Sequence, residues 1–289
     1  MDRSELLRKI RTLEIRSKGL SQHLFSGEYH SAFKGRGMTF SEVREYEHGD
    51  DVRTIDWNVT ARTRHPHVKV YEEERELTIL LLVDLSESME FGSDGRTKKE
   101  LAIEIAATLA FSAIANHDKV GALFFTEEIE YYIAPDKGRK HVLRILTSAL
   151  QHQRRGKNTN IGKALQFIER TQKKRSVCFL ISDFTTEVTY LETLQRIRKK
   201  HDTMALNVGN PMEYNLPEKG FVQLFNAEAA TTTWVNLNDT KIRKKLQEFE
   251  SKKLTEITQN MTRSGVDLAS FHTNEEIHLP LMRLFKNRS

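Results

Sequence analysis

Cysteine is almost missing from these 289 residues: Cys178 stands alone, so no intramolecular disulfide can staple the fold. It lies in the apolar stretch Val177 to Ile181, where a reduced thiol serves as a small hydrophobe. Proline and glycine are scarce, at 5 and 14 residues, and there is no low-complexity tract or internal repeat, which argues against long disordered linkers and repeat arrays. Long apolar runs are missing too. A membrane-crossing helix needs about 18 consecutive apolar residues, and the longest strongly apolar run, Ile79 to Val83, is far shorter. The N-terminal stretch MDRSELLRKIRTLEIRSKG is charged throughout and lacks the apolar core of a secretory signal. These absences predict a reduced, cytoplasmic protein of one large domain or two modest ones.

Charge of one sign is also in short supply. Forty-five basic against 40 acidic residues leave +5, with the signs interspersed, and the basic clusters carry no aromatic interleaving or recognition motif that would support nucleic-acid binding. What is present is periodicity. Leu6, Leu7, Ile10, Leu13 and Ile15 fall near a helical period and predict an amphipathic N-terminal helix. From Phe25 to Tyr71 the pattern breaks into short polar and aromatic segments, an irregular leader with a turn at Gly49-Asp50 and a strand over His67 to Tyr71.

The chain then alternates between the two periods. Strands are predicted over Thr78 to Val83, Val120 to Phe125, Ile129 to Ile133, Val177 to Ile181 and Thr203 to Val208. Helices are predicted over Lys98 to Ala115, Lys140 to Leu150, Ile161 to Thr171 and Glu187 to Lys200. Crossover helices of this length imply a mostly parallel sheet covered on both faces, a doubly wound α/β fold. The expected division is an N-terminal helix and leader over 1–76 and an α/β domain over 77–289. Short strands are inserted around 211–238, ahead of a long charged helix, and these last segments complete the same sheet.

In such folds ligands gather at the carboxyl ends of the strands. Strand Thr78 to Val83 runs into Asp84-Leu85-Ser86-Glu87-Ser88, and alternate positions in extended chain put Asp84, Ser86 and Ser88 on one face. Asp183 after the Val177 strand, and Thr159 in the loop before Ile161, add two more oxygen ligands. Two carboxylates and three hydroxyls suit a hard dication, Mg²⁺ with Mn²⁺ or Ca²⁺ as alternatives, and leave the ion electrophilic toward the carboxylate of a partner's acidic segment.

At these residues the chain resembles the metal-ion-dependent adhesion site of von Willebrand factor A (VWA) domains. A second signature is Tyr46-Glu47-His48-Gly49-Asp50-Asp51-Val52-Arg53-Thr54-Ile55-Asp56-Trp57, preceded by Arg36-Gly37-Met38 and followed by Glu72-Glu73-Glu74. It is similar to the leader of a bacterial family of unknown function, DUF58, whose members carry such a domain. The resemblance implies a non-enzymatic interaction module that works with a MoxR-type AAA+ ATPase in the assembly or activation of other proteins.

The local alternatives are specific. Asp and Ser cluster at helix N-caps without any ligand. Asp50, Asp51, Arg53, Asp56 and Trp57 are expected to be structural, with Arg53 paired to a carboxylate and Trp57 covering a core edge, and His65 and His67 to be solvated surface. The rival enzyme is a Mg²⁺-dependent phosphatase of the haloacid-dehalogenase type with Asp84 as nucleophile. Its general acid would fall at Ser86, a poor proton donor at neutral pH.

Overall fold

The computed structural model describes residues 8–17, 38–73, 76–93, 95–152, 155–214, 220–226 and 231–288. Helix α1 spans 8–17. Strands β1 (Met38–Glu45) and β2 (His67–Glu73) pair antiparallel, with a bulge between Phe40 and Glu42 and helix α2 (Trp57–Thr63) between them. Next come β3 (Thr78–Asp84), the two-residue strands β4 (Gly92–Ser93) and β5 (Arg96–Thr97), α3 (Lys98–Ala115), β6 (Lys119–Phe125) and β7 (Ile129–Asp136). Helices α4 (Arg139–Gln151) and α5 (Ile161–Thr171) lead to β8 (Val177–Ser182), α6 (Leu191–Lys200) and β9 (Asp202–Gly209). The chain ends with α7 (Pro211–Tyr214), β10 (Phe221–Asn226), β11 (Thr231–Asn236), α8 (Thr240–Ser264), β12 (Asp267–His272) and α9 (His278–Lys286).

Six strands form the central sheet in the order β12-β9-β8-β3-β6-β7, parallel throughout except for β7, which pairs antiparallel with β6. Counted along the chain within this sheet, the order is 3-2-1-4-5-6 read from the β7 edge, the doubly wound arrangement whose direction reverses between its first and fourth strands. Here those are β3 and β8. The expected α/β class is therefore the observed one.

Strand pleating divides the core. Ile79, Leu81 and Val83 point to the face covered by α3, α4 and α9, and Leu80 and Leu82 to the face covered by α5, α6 and α8. All five are buried, and each contributes roughly 1.5–3 kcal/mol through removal of its side chain from water. Helix α3 is buried on most sides, which suits its Leu101, Ile105, Leu109, Ala106 and Ala110, and a Thr97–Glu100 capping box starts it. Phe179 of β8 meets Phe285 of α9 edge-on at 6.4 Å, locking the last helix to the sheet.

Several expectations need correction. In α1, Ile10 is buried and Leu13 packs on the core, but Ile15 is 63% exposed and the inward face is completed by Glu14 and Ser17. Glu14 accepts two hydrogen bonds from Arg139 at 2.6 and 2.7 Å, and Ser17 meets Thr108 at 3.3 Å, so polar partners do the work assigned to an apolar stripe. Leu6, Leu7, most of the early leader including Arg36 and Gly37, and Glu74 lie outside the described residues. The described leader is more regular than its pattern suggests, because β1 pairs with β2. The short strands β10 and β11 do not complete the central sheet; they form a two-stranded sheet of their own, and only β12 joins the main one. Helix α6 begins at Leu191 rather than Glu187.

The charged cluster of the leader is structural, with other partners than expected. Arg44, not Arg53, pairs bidentately with Asp50 at 2.7 and 2.8 Å. Asp51 and Asp56 cap the helical turns that follow them. Trp57 is 71% exposed and covers no core edge. His65 is exposed, and the His67 ring hydrogen-bonds the His65 carbonyl at 2.8 Å. No described helix is long and apolar enough to cross a membrane.

Candidate metal centre

Asp84 is the last residue of β3 and faces the carboxyl end of β8 across the strand pair where the winding reverses. It is completely buried. Oδ1 accepts a hydrogen bond from the Ser86 amide at 2.8 Å; Oδ2 accepts one from the Ser182 hydroxyl at 2.6 Å and one from the Thr159 hydroxyl at 3.3 Å. Ser86 and Ser88 place their hydroxyls 3.2 Å apart. Ser86 is the N-cap of a short 3-10 turn, Glu87–Glu90, yet its hydroxyl caps nothing there. Asn160, not Thr159, caps α5. The two hydroxyls that N-capping would have explained away are thus turned toward Asp84 and Ser88.

The structure brings Asp84, Ser86, Ser88 and Thr159 into one hydrogen-bonded group. Asp183, the residue after β8, acts on Asp84 through its charge, but its oxygens are engaged elsewhere: Oδ1 accepts from the Thr185 amide at 3.0 Å and Oδ2 from the Lys98 ammonium at 2.7 Å. Lys98 also donates to Glu213 Oε1 at 2.7 Å. Phe184, next in the chain, has a φ of 53°, rare for a bulky residue, with its amide on the Ser182 hydroxyl at 3.0 Å.

The two carboxylates respond oppositely to similar burial. Burial pushes the Asp84 carboxyl above the usual range, and the Asp183 charge pushes it further, against hydrogen bonds from Ser182 and Ser86. Burial also pushes Asp183 up, but the charge of Lys98, and then of Lys253, outweighs it and holds the group below the usual range. Among the described residues Asp84 forms no ion pair. It is a buried carboxylate supplied with hydrogen bonds but short of positive charge.

Thr159 reaches Asp84 because its loop is bound to the β6–β7 turn. The buried Glu130 carboxylate accepts from the His152 ring at 2.9 Å, the Thr126 hydroxyl at 2.8 Å and the amides of Arg155 and Gly156 at 2.9 and 3.0 Å. Burial pushes Glu130 up, but these partners, His152 first, hold it down to about 2. Gly156 passes so close to this turn that a Cβ there would sit 2.3 Å from Thr126 Oγ1. The Lys157 carbonyl accepts from the Glu87 amide at 2.8 Å, tying the loop to the DxSxS turn. Arg154 of this basic loop lies outside the described residues; Arg155 and Lys157 are exposed.

Among the described residues no group of three or more His, Cys, Asp or Glu is arranged to hold a metal ion. The donor set here is of the other kind, hard oxygens with few charges, and it fits a Mg²⁺-like ion at Asp84, Ser86, Ser88 and Thr159. Sequence reasoning missed Lys98, Glu213, the Ser182 hydroxyl and Glu130. Lys98 had a signal: a lysine opening an otherwise apolar helix opposes the helix dipole and calls for a carboxylate partner. Glu213 had none.

A sequence profile described as "Protein of unknown function DUF58" matches residues 42–256. An uncharacterized protein of Mycobacterium tuberculosis is 28% identical over 291 aligned positions, covering 100% of this chain and 91% of that protein. Among solved structures, the chain is similar to the conserved hypothetical protein BatB from Bacteroides thetaiotaomicron, with 15% identity, a TM-score of 0.49 and coverage of 73% of this chain and 98% of that one. It is also similar to the VWA domain of SpRpn10, with 14% identity, a TM-score of 0.38 and coverage of 74% and 95%.

Proposed function

The chain belongs to the DUF58 family, and from that premise we propose that it is a non-enzymatic interaction module whose carboxyl-end site binds a divalent cation and, through it, an acidic segment of a partner protein. Asp84, Ser86, Ser88 and Thr159 hold the ion, and Asp183 sets the local charge. Mg²⁺ is the expected ion, since it tolerates a small set of protein oxygens and keeps water on its remaining positions. A bound ion supplies the positive charge Asp84 lacks and an open position for a carboxylate. The observation that carries the reading is the fully buried Asp84, surrounded by hydroxyl and amide donors and without a cationic partner among the described residues.

The proposed working partner is a MoxR-type AAA+ ATPase, as the likeness of the leader and metal loops to that bacterial family suggests. Exposed Arg155 and Lys157 beside Thr159 add positive charge to a rim that also carries Glu87 and Glu127, and favour the approach of an acidic segment from their side. The test has two halves. Mg²⁺ and Mn²⁺ are titrated into the purified chain and into Asp84→Ala, by calorimetry and thermal shift; only the unmodified chain is expected to respond, and equal responses remove the site. Affinity purification from the native host then compares the same two proteins, and repeated absence of an AAA+ ATPase removes the pairing.

A further inference from the structure

Lys98 is placed where general electrostatics disfavours it. It is the first residue of an 18-residue helix, where the backbone dipole repels a cation, and it is only 2% exposed. Its ammonium is held from two sides, 2.7 Å from Asp183 Oδ2 and 2.7 Å from Glu213 Oε1, with the Phe91 ring centroid at 5.9 Å. Glu213 is itself fixed, because its other oxygen accepts from the Asn210 amide at 2.9 Å and Asn210 donates to Thr273 at 2.8 Å. The ammonium therefore has no slack, and it sits on one of the two carboxylates that the sequence assigns to the metal.

We infer that Lys98 is a tethered competitor for Asp183: its ammonium withholds that carboxylate from the divalent ion, which is then held through Asp84, Ser86, Ser88 and Thr159 and bound more weakly than all five residues would bind it. The inference rests on the metal reading above and deepens it. The physical ground is charge. A monovalent and a divalent cation at bonding distance from one small carboxylate repel each other in a site shielded from water, so the bond from Lys98 disfavours a bond from the ion. The Thr185 amide on Oδ1 and the Lys98 ammonium on Oδ2 fix the Asp183 carboxylate from both sides. The fold thus carries its own counter-ion, and the affinity for the external one is set low.

The test removes one positive and one negative charge together. Calorimetric titration of Mg²⁺, then Mn²⁺, compares the full chain with the charge-matched double variant Lys98→Met/Glu213→Gln, circular dichroism verifying that both are folded. The expected result is at least about tenfold tighter binding by the double variant, the range seen when groups that act on metal ligands are altered. Equal or weaker binding by the folded double variant overturns the inference while leaving the site intact; binding by neither protein removes the metal reading and the inference with it. Should the double variant fail to fold, crystals of the unmodified chain grown with Mn²⁺ decide the question by anomalous scattering. Lys98 is expected to remain on Asp183 with no bond from Asp183 to the ion, and a direct Asp183 bond to Mn²⁺ overturns the proposal.

Discussion

Asp84 and Asp183 end neighbouring strands of one sheet, are equally hidden from water, and live in opposite circumstances. Asp84 receives neutral donors, the Ser86 amide and the hydroxyls of Ser182 and Thr159, and no cation within the described residues. Asp183 receives an ammonium. Neutral donors satisfy lone pairs without balancing charge, so burial wins at Asp84 and loses at Asp183. The difference teaches that satisfied hydrogen bonding and satisfied charge are separate conditions.

The sharpest way to break the comparison is Lys98→Met alone. It leaves the buried Asp183 and the half-buried Glu213 without their ammonium partner, and a loss of about 3–5 kcal/mol in urea-induced unfolding is expected. Retention of full stability would show that Asp183 needs its cation no more than Asp84 does.

At the opposite end of the sheet, His201 offers a third case, a buried titratable group with neither hydrogen bonds nor a counter-charge among the described residues. Burial, followed by the charges of Lys200 and Arg175, pushes it down to about 4. The sign follows from the proton balance: between the ordinary value of 6.5 and about 4 the unfolded chain binds the extra proton, so stability falls as the pH drops through that window. His201→Leu should remove an acid sensitivity on the order of 3 kcal/mol across the window, read as a flatter dependence of unfolding free energy on pH.

Glu130→Gln sharpens the comparison from the loop side. Because Glu130 is held down to about 2, its contribution is fully present above the unfolded value of 4.5 and is lost as pH falls through about 2. The variant should lose about 1–3 kcal/mol at neutral pH and show a flatter acid limb. With Thr159 less well placed, Mg²⁺ affinity should drop about tenfold, and combining the change with Thr159→Ala should bring little further loss. The smallest effect is expected for Asp84→Asn in cation-free buffer, a stability change within about 1 kcal/mol because no ion pair is broken. The same variant loses any thermal shift on adding Mg²⁺.

Much of this architecture was legible from pattern. Thr78 to Val83, Lys98 to Ala115 and Ile161 to Thr171 appear as read, since a buried strand and a packed helix each impose a local period on apolar residues. The grouping of Asp84, Ser86, Ser88 and Thr159 was readable for the same reason: all four lie at strand or loop ends that the doubly wound topology sends to one rim. Ile15 and Trp57 were misplaced because burial depends on what lies opposite, and for α1 the opposing groups are Arg139 and Thr108, more than 90 residues away. The pairing of β10 with β11 apart from the main sheet is likewise a decision about edges, which an alternating strand pattern does not encode.

The sequence by itself determined the order of strands and helices in the central sheet, the burial of both its faces and the oxygen-bearing side chains at its rim, because these follow from short-range periodicity and from side-chain chemistry. Only the tertiary structure decided which carboxylate carries a charge partner. Lys98 finds Asp183 across 85 residues and Glu213 across 115, and an ion pair of that span is chosen by which surfaces the fold presses together and seals from water.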